Sequence, residues 1–199
     1  FGILTHAHMD HIGMLPVLAH QGLNCPVFTS YSTDALMKIA LNDTVTIVDK
    51  DLGRPIASED DMERALDLMV GTSYKKQIKP HKNIRIVFYS NGHLVGATVV
   101  LIVITCPGRE PITIIHTGDY KDKNVFFNVE TPPKAVRELN ISNIVCESTY
   151  GGVDSTDPMF KKCLKNNTVE ALNNGMTVIY PTFAQGRHQE ALFNIKMWK

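Results

Sequence analysis

Two rhythms of apolar residues run along this chain, one of short β-rich runs and one at helical spacing, and their alternation predicts an α/β architecture. Residues 1–5, FGILT, read as a strand that ends at a histidine-rich segment, and residues 12–22, IGMLPVLAHQG, as a helix stopped by Gly22. CPVFTS, residues 25–30, is a short strand. From Ser32 to about Val48 the spacing of Leu36, Ile39, Ala40 and Val45 is helical. Ser58 then offers an N-cap, with Glu59, Asp60 and Asp61 as an acidic first turn, for a second helix running through Leu66 and Met69. These two helices are expected to form a lobe over the sheet.

Residues 83–89, 97–106 and 111–119 follow as strands. The second of them, ATVVLIVITC, is almost wholly apolar and is expected to be covered on both faces. Proline and glycine in CPGREP turn the chain between the last two. NIVCEST, residues 143–149, is a further strand. The polar stretch YGGVDSTDP that follows is the best candidate for a domain boundary, dividing the chain into 1–151 and 152–199. Beyond it a helix over 158–174, a strand MTVIYP and a helix over 187–197 predict the beginning of a second α/β unit.

Composition narrows the classes of function. With 44% hydrophobic residues in 199, the chain can bury a substantial core. Twenty basic and twenty acidic residues cancel, so no overall field draws in nucleic acid or an anionic membrane, and a polyanion has to be held by a local site. Lys75, Lys76, Lys79 and Lys82 form one such local group, and Lys161, Lys162 and Lys165 another; solvated faces explain both equally well. Cys25, Cys106, Cys146 and Cys163 form no CxxC pair, which fits reduced thiols better than a disulfide framework or a thiolate zinc site. No apolar run reaches the length of a membrane span. A cytoplasmic protein is expected, or a nuclear one in a eukaryote. The chain opens inside an apolar segment and closes inside a helical pattern, NIKMWK, as a piece of a longer protein would.

The candidate chemistry lies in THAHMDH, residues 5–11, which holds three of the chain's eight histidines. Imidazole nitrogen and carboxylate oxygen are the usual ligands of zinc in hydrolytic sites, at roughly 2.0–2.2 Å, with one position left for water. His6, His8, Asp10 and His11 are all of that kind. Alternate residues after a strand can turn toward one metal, and the Asp-His pair in the next turn toward a second. Two further donors stand at downstream strand ends. His93, between glycines in NGHLVG, would complete the His6/His8 site; Asp119 in HTGDY has two oxygens to bridge two cations and would be shared with Asp10 and His11. Cys146, in an apolar strand, is expected to be packing.

HAHMDH, GHLVGA and HTGDY resemble the second, third and fourth motifs of the metallo-β-lactamase superfold, an αββα sandwich that holds two metals at its strand ends. CESTYG at residues 146–151 resembles the motif that ends the lactamase domain in the β-CASP nucleases. YPTFAQGRHQE at 180–190 resembles the helix-opening segment of their inserted domain, commonly P-x-F-A-x-G-R-x-Q-E. Because the acidic motif is followed by STYG, the chain is more similar to the nuclease subunit of the cleavage and polyadenylation specificity factor and its prokaryotic relatives than to ribonuclease J or Artemis.

This resemblance implies a metallo-β-lactamase domain over 1–151 lacking its first strands, and the beginning of a β-CASP domain over 152–199. The first-motif aspartate would precede Phe1, and two histidines, one of them a ligand of the second metal, would follow Lys199. Glu147 would hold a downstream histidine that protonates the leaving group, so Asp10, Asp119 and Glu147 are the expected catalytic carboxylates. Two divalent ions, zinc foremost and manganese as the alternative, roughly 3.5–4 Å apart, can activate a water and hold a phosphate oxygen in line. The implied reaction is hydrolysis of RNA phosphodiesters, with single-stranded RNA as partner, Arg187 as a substrate contact, no membrane, and a homodimer or processing complex as the assembly. A small-molecule hydrolase of thioesters or lactones and a non-catalytic β-CASP scaffold are the competing classes; His188 is given no role.

Overall fold

A computed structural model describes residues 1–52, 57–121, 123–124, 126, 129, 134–149, 151–152 and 158–198. Tyr150 and most of the expected boundary stretch, and the side chains of Lys161 and Lys162, lie outside the described residues. The chain forms two compact units, Phe1–Glu147 and Ser148–Lys199.

The first unit opens with β1 (Gly2–Ile3), α1 (Met9–Ile12), α2 (Leu15–His20), β2 (Val27–Ser30), α3 (Tyr31–Leu52), α4 (Glu59–Asp67) and β3 (Met69–Thr72). The three strands lie parallel in the order β1-β2-β3, as helical crossovers between parallel strands require. β4 (Gln77–His81), β5 (Ile84–Ser90), β6 (Thr98–Ile104), β7 (Ile112–His116), α5 (Lys134–Arg137) and β8 (Asn143–Val145) follow. They make a second sheet in chain order, antiparallel except where β8 joins β7 in parallel.

Three clusters of buried side chains layer these elements. Ala7, Ile12, Leu15, Ala19, Val27, Met37, Ala40, Leu41 and Ala65 bury α1–α4 against the small sheet. Ile86, Phe88 and Val100, with Ile3 and Phe28 from the small sheet, fill the space between the two sheets. On the far side, Tyr89 and Leu101 meet Val136 of α5. The order is helix, sheet, sheet, helix. Period-2 alternation sends Ile84, Ile86 and Phe88 of β5 inward and Val87 and Tyr89 outward, and both sets are covered. This is why β5 and β6 read as nearly continuous apolar runs.

Several elements differ from expectation for local reasons. The helix expected over 12–22 is two short helices, interrupted at Gly13 and restarted with Pro16 in the first turn of α2, where a missing N–H costs nothing. Met69 leaves the α4 pattern and pairs with Val27 in the parallel ladder, so α4 ends at Asp67. Ile39 points outward at 62% exposure, the buried stripe of α3 being Thr33, Met37, Ala40 and Leu41. β4 was hidden by Pro80 and its polar residues; as an edge strand it tolerates both. In the second unit, α6 (Pro158–Asn173) and α7 (Arg187–Met197) stand as expected. Residues 176–181, MTVIYP, form no ladder, because a strand needs a partner edge and the described residues of that unit offer none. Tyr180 does hydrogen-bond through its hydroxyl to Thr168 of α6.

The start of α4 repays its sequence signal. Ser58 Oγ accepts the Asp61 N–H at 3.1 Å and the Asp61 carboxylate accepts the Ser58 N–H at 3.0 Å, a capping box. Asp61 is only 2% exposed and also takes contacts from the Ser58 hydroxyl, the Arg64 guanidinium and, at 3.2 Å, Nδ1 of His20 on α2. The Ser58 N–H, then its hydroxyl, and further Arg64 and His20, hold this carboxyl well below its ordinary range against the opposing effect of burial. Its folded pKa is depressed below the unfolded value of 3.8, so its contribution to stability is present above that pH. Below it the unfolded chain takes up a proton that the native carboxylate refuses, and the contribution is lost. The urea midpoint is therefore expected to fall as pH drops below about 4, and Asp61→Asn to flatten that fall; parallel acid limbs for the two proteins would contradict the assignment.

Candidate metal centre

Three loops bring the candidate donors together at one end of the two sheets. The first follows β1: Thr5, His6, Ala7 and His8 lead into α1, which carries Asp10 and His11. The second joins β5 to β6 and carries His93. The third follows β7 and carries Asp119. Thr98 at the start of β6 ties the first loop to the large sheet, its N–H and hydroxyl both donating to Thr5 O at 2.9 and 3.1 Å. Ser30 and Thr33 donate their hydroxyls to Gly96 O at 2.6 and 2.9 Å, fixing the second loop to the end of β2 and the start of α3.

Two glycines permit the close approach. Gly92 has φ +78°, and a Cβ there would sit 2.6 Å from Lys121 O and 2.4 Å from a Val129 methyl carbon; Gly118 has φ +57° and would meet Thr5 Cβ at 2.9 Å. Both the backbone conformation and the space exclude side chains.

The donors converge tightly. His93 Nε2 lies 3.0 Å from His8 Nδ1 and 3.8 Å from Asp119 Oδ2. His6 Nε2 lies 3.8 Å from the same Asp119 oxygen. The other oxygen, Oδ1, faces His11 Nε2 at 3.4 Å, and Asp10 Oδ2 is 3.5 Å from that nitrogen. Ring centroids of the His6 pairs with His8, His11 and His93 are 4.0–4.9 Å apart. His6, His8, His93 and Asp119 thus form one group of potential ligand atoms and Asp10, His11 and Asp119 another, each spanning no more than 4.8 Å. Asp119 belongs to both, one oxygen toward each.

Whether a cation fits can be tested on the donors themselves. Tetrahedral ligands at 2.0–2.1 Å stand roughly 3.3 Å from one another, close to the 3.0–3.8 Å that separate His8 from His93 and Asp119 from His6 and His93. His6 is fully buried, and its Nε2 makes no hydrogen bond among the described residues. Its Nδ1 lies 3.1 Å from Thr5 Oγ1, so with the proton on Nδ1 the Nε2 lone pair faces the cluster. Burial first, and then the neighbouring His11, His93 and His8, push its pKa down to about 2. A neutral imidazole is the form that ligates a metal, and a buried acceptor without a partner is costly otherwise.

Two organising contacts go beyond the sequence reading. Asn91, 2% exposed, donates its amide to Thr117 O at 3.0 Å and to Asp119 O at 2.8 Å, and accepts the His93 N–H at 3.1 Å. One side chain therefore clamps the second loop to the third. Glu147 accepts the Tyr120 N–H at 3.0 Å and donates its own N–H to Thr117 Oγ1 at 3.3 Å, pinning the residue after Asp119 from the end of β8. A buried asparagine beside a histidine motif is a hint of the first; nothing local predicts the second.

Other candidates stand apart from this cluster. Cys146, expected to be packing, is exposed, because β8 is the uncovered outer strand of its sheet; its thiol donates to Glu147 O at 3.2 Å. His116 turns its Nδ1 back to accept the Gly118 N–H at 3.1 Å. In the second unit Arg187 opens α7 after Gly186, and its guanidinium pairs with Glu190 at 3.0 Å. His188 is exposed.

Imidazoles and one shared carboxylate gathered at the strand ends of a helix–sheet–sheet–helix sandwich make a donor set of the kind that holds divalent metal ions. The sequence profile described as the metallo-beta-lactamase superfamily domain matches residues 2–124. The chain belongs to the metallo-β-lactamase superfamily, whose members use divalent metal ions. It is 30% identical to the transcription termination factor FttA of Methanosarcina mazei over 96% of this chain and 29% of that protein. It is 31% identical to a ribonuclease of Thermus thermophilus over 96% of this chain and 41% of that protein, and 29% identical to the endoribonuclease ysh1 of Schizosaccharomyces pombe over 96% and 24%. The chain spans less than half the length of these curated relatives.

If the Asn91 clamp sets the spacing of His93 and Asp119, Asn91→Ala should weaken zinc binding about tenfold or more, as loss of an outer partner of a metal ligand usually does. Competition with a chelating dye measures this; zinc affinity equal to that of the parent protein would show that the loops hold themselves.

Proposed function

We propose that this chain carries the metal centre of a hydrolase that cleaves RNA phosphodiester bonds. The observation that carries the proposal is Asp119, one oxygen of which faces His6 and His93 while the other faces His11. That arrangement suits two adjacent cations better than one. Among the relatives, two are named ribonuclease and endoribonuclease, which supports RNA as the substrate.

In this reading His6, His8, His93 and Asp119 hold the first ion, and Asp10, His11 and Asp119 contribute to the second. Residues 1–151 act as the metallo-β-lactamase domain, and 152–199 as the start of a β-CASP domain. Zinc fits the donor set best, with manganese the alternative. The bound ions supply Lewis acidity, lowering the pKa of a water and drawing charge off a phosphate oxygen. Asp10 is the most exposed donor, its side chain 77% accessible, and its carboxylate would take the proton from the attacking water. Thr5 holds the His6 tautomer. Glu147, through Tyr120 N–H, keeps the Asp119 loop at its station, which adds a positioning role to the one its motif implies. Arg187 would offer its guanidinium to a phosphate by leaving Glu190. Among the described residues no helix is long and apolar enough to cross a membrane, and the cytoplasm or nucleus is the proposed setting.

The intact protein, supplied with zinc or manganese, is expected to cut end-labelled single-stranded RNA, and Asp119→Asn to reduce the rate about 100-fold or more, the scale on which removal of a key electrostatic group acts. RNA left whole while a thioester or lactone is hydrolysed would contradict the proposal.

A further inference from the structure

Between Asp67 and Glu110 the chain contains no acidic residue at all, while Lys75, Lys76, Lys79, Lys82, Arg85 and Arg109 fall in that interval. Six of the twenty basic residues are thus gathered into one acid-free segment of a chain whose net charge is zero. All six are exposed.

The fold lays them out in a row. β4 is one edge of the large sheet, with no further strand beside it among the described residues. At its start, Lys75 donates its N–H to Phe88 O at 2.8 Å, two residues before Ser90, where β5 runs into the Asn91–His93 loop. Lys75 and Lys76 therefore stand at the metal end of the edge. Lys75 has φ +63°, an uncommon conformation for a residue with a side chain. At the other end Lys82 forms the turn into β5. The register shifts between the Ile78–Ile86 and His81–Ile84 pairs, so that Lys79 and Pro80 together stand across from Arg85. Thr105 donates its N–H to Asn83 O at 2.9 Å, which brings the end of β6, and the turn holding Arg109, up to the same corner. From Lys76 to Lys82 the row extends ~20 Å at strand rise. Among the described residues Lys76, Lys79, Lys82 and Arg85 make no ion pair.

We propose that this edge of the sheet is a backbone-binding track for single-stranded RNA, leading from the metal end of the first unit along β4 to the β4–β5 turn. The proposal rests on the reading of the centre as RNA-cleaving and adds where the strand is held. Cations gathered along one edge without intervening carboxylates suit a chain of phosphates, and neutralising them releases counterions. β4 carries no Phe, Tyr or Trp, and His81 at its end is its one ring, so the track reads phosphate rather than sequence. Lysines on edge strands also deter strand-to-strand aggregation. That role is served by β4 alone and requires neither Arg85 on the neighbouring strand nor the absence of acids over the whole segment.

The test uses the intact protein, chelator-treated so that nothing is cut, and a fluorescent single-stranded RNA of about 20 nucleotides, titrated from 50 to 300 mM salt. K76Q/K79Q/K82Q/R85Q is expected to lose about tenfold in affinity at physiological salt, and to reduce the slope of log affinity against log salt by up to about 3, at roughly 0.7 per phosphate contact on a single strand. A matched variant, K38Q/R137Q/K196Q/K199Q, removes the same charge elsewhere and is expected to keep the parent slope. Lys79→Glu with Lys82→Glu keeps the edge charged and soluble, and is expected to lose RNA binding all the same. Equal slopes for the track and control variants overturn the proposal, as does loss of binding to poly-glutamate with RNA binding intact, which assigns the edge to a protein. RNA bound on the track but never cut in zinc or manganese removes the hydrolysis reading and leaves the track standing; cutting with an unchanged salt slope does the reverse.

Discussion

A carboxylate in contact range of three imidazoles, with a fourth imidazole one ring away, is the interaction around which the first unit is arranged. Asp119 reaches His6 and His93 with one oxygen and His11 with the other, and His8 touches His93 ring to ring. Packed this way, the rings repel one another's protons, which together with burial is why the pKa of His6 is pushed so far down. Neutral rings with inward lone pairs and one shared anion form a pocket of electron pairs. Left to themselves such groups are poorly satisfied in a buried place; a divalent cation satisfies all of them together.

The rest of the unit can be understood as the scaffold for that convergence. Strands end where the donors begin: β1 before His6, β5 before His93, β7 before Asp119. The apolar layer of Ile86, Phe88, Val100, Ile3 and Phe28 holds the two sheets face to face, and so fixes the distance between the first loop, which belongs to the small sheet, and the other two, which belong to the large one. Polar clamps then set the final spacing. Thr98 joins loop one to loop two, Asn91 joins loop two to loop three, and Glu147 steadies loop three from behind. Gly92 and Gly118 are where those loops pass too close for any Cβ.

The residues that converge were legible in the sequence because metal-binding motifs concentrate residue types that are rare elsewhere. His6, His8, Asp10 and His11 sit in six positions, and His93 and Asp119 occur at the ends of strands that their apolar pattern already marks. Strands with both faces covered, β5 and β6, were equally plain, as was the capping box of α4. What escaped was whatever depends on a distant partner. Met69 sits in register with the α4 pattern, and only the parallel ladder with β2 draws it into a strand. β4 carries too few apolar residues to announce itself, since an edge strand buries little. MTVIYP has strand composition, but among the described residues no strand pairs with it. Cys146 looked like packing, and the layer that would cover it is not among the described residues. Asn91 and Glu147 act through backbone groups 26 to 28 residues away, and no local rule exposes such contacts.

The shell around a bound zinc ion distinguishes this centre from any other, and X-ray absorption at the zinc edge reads it directly in the loaded protein. A shell of nitrogen and oxygen only, at about 2.0–2.1 Å, with the outer scattering of three imidazole rings that disappears in part when His93 is replaced by alanine, is the predicted result. A shell containing sulfur at about 2.3 Å, or one of water oxygens without imidazole scattering, would contradict it.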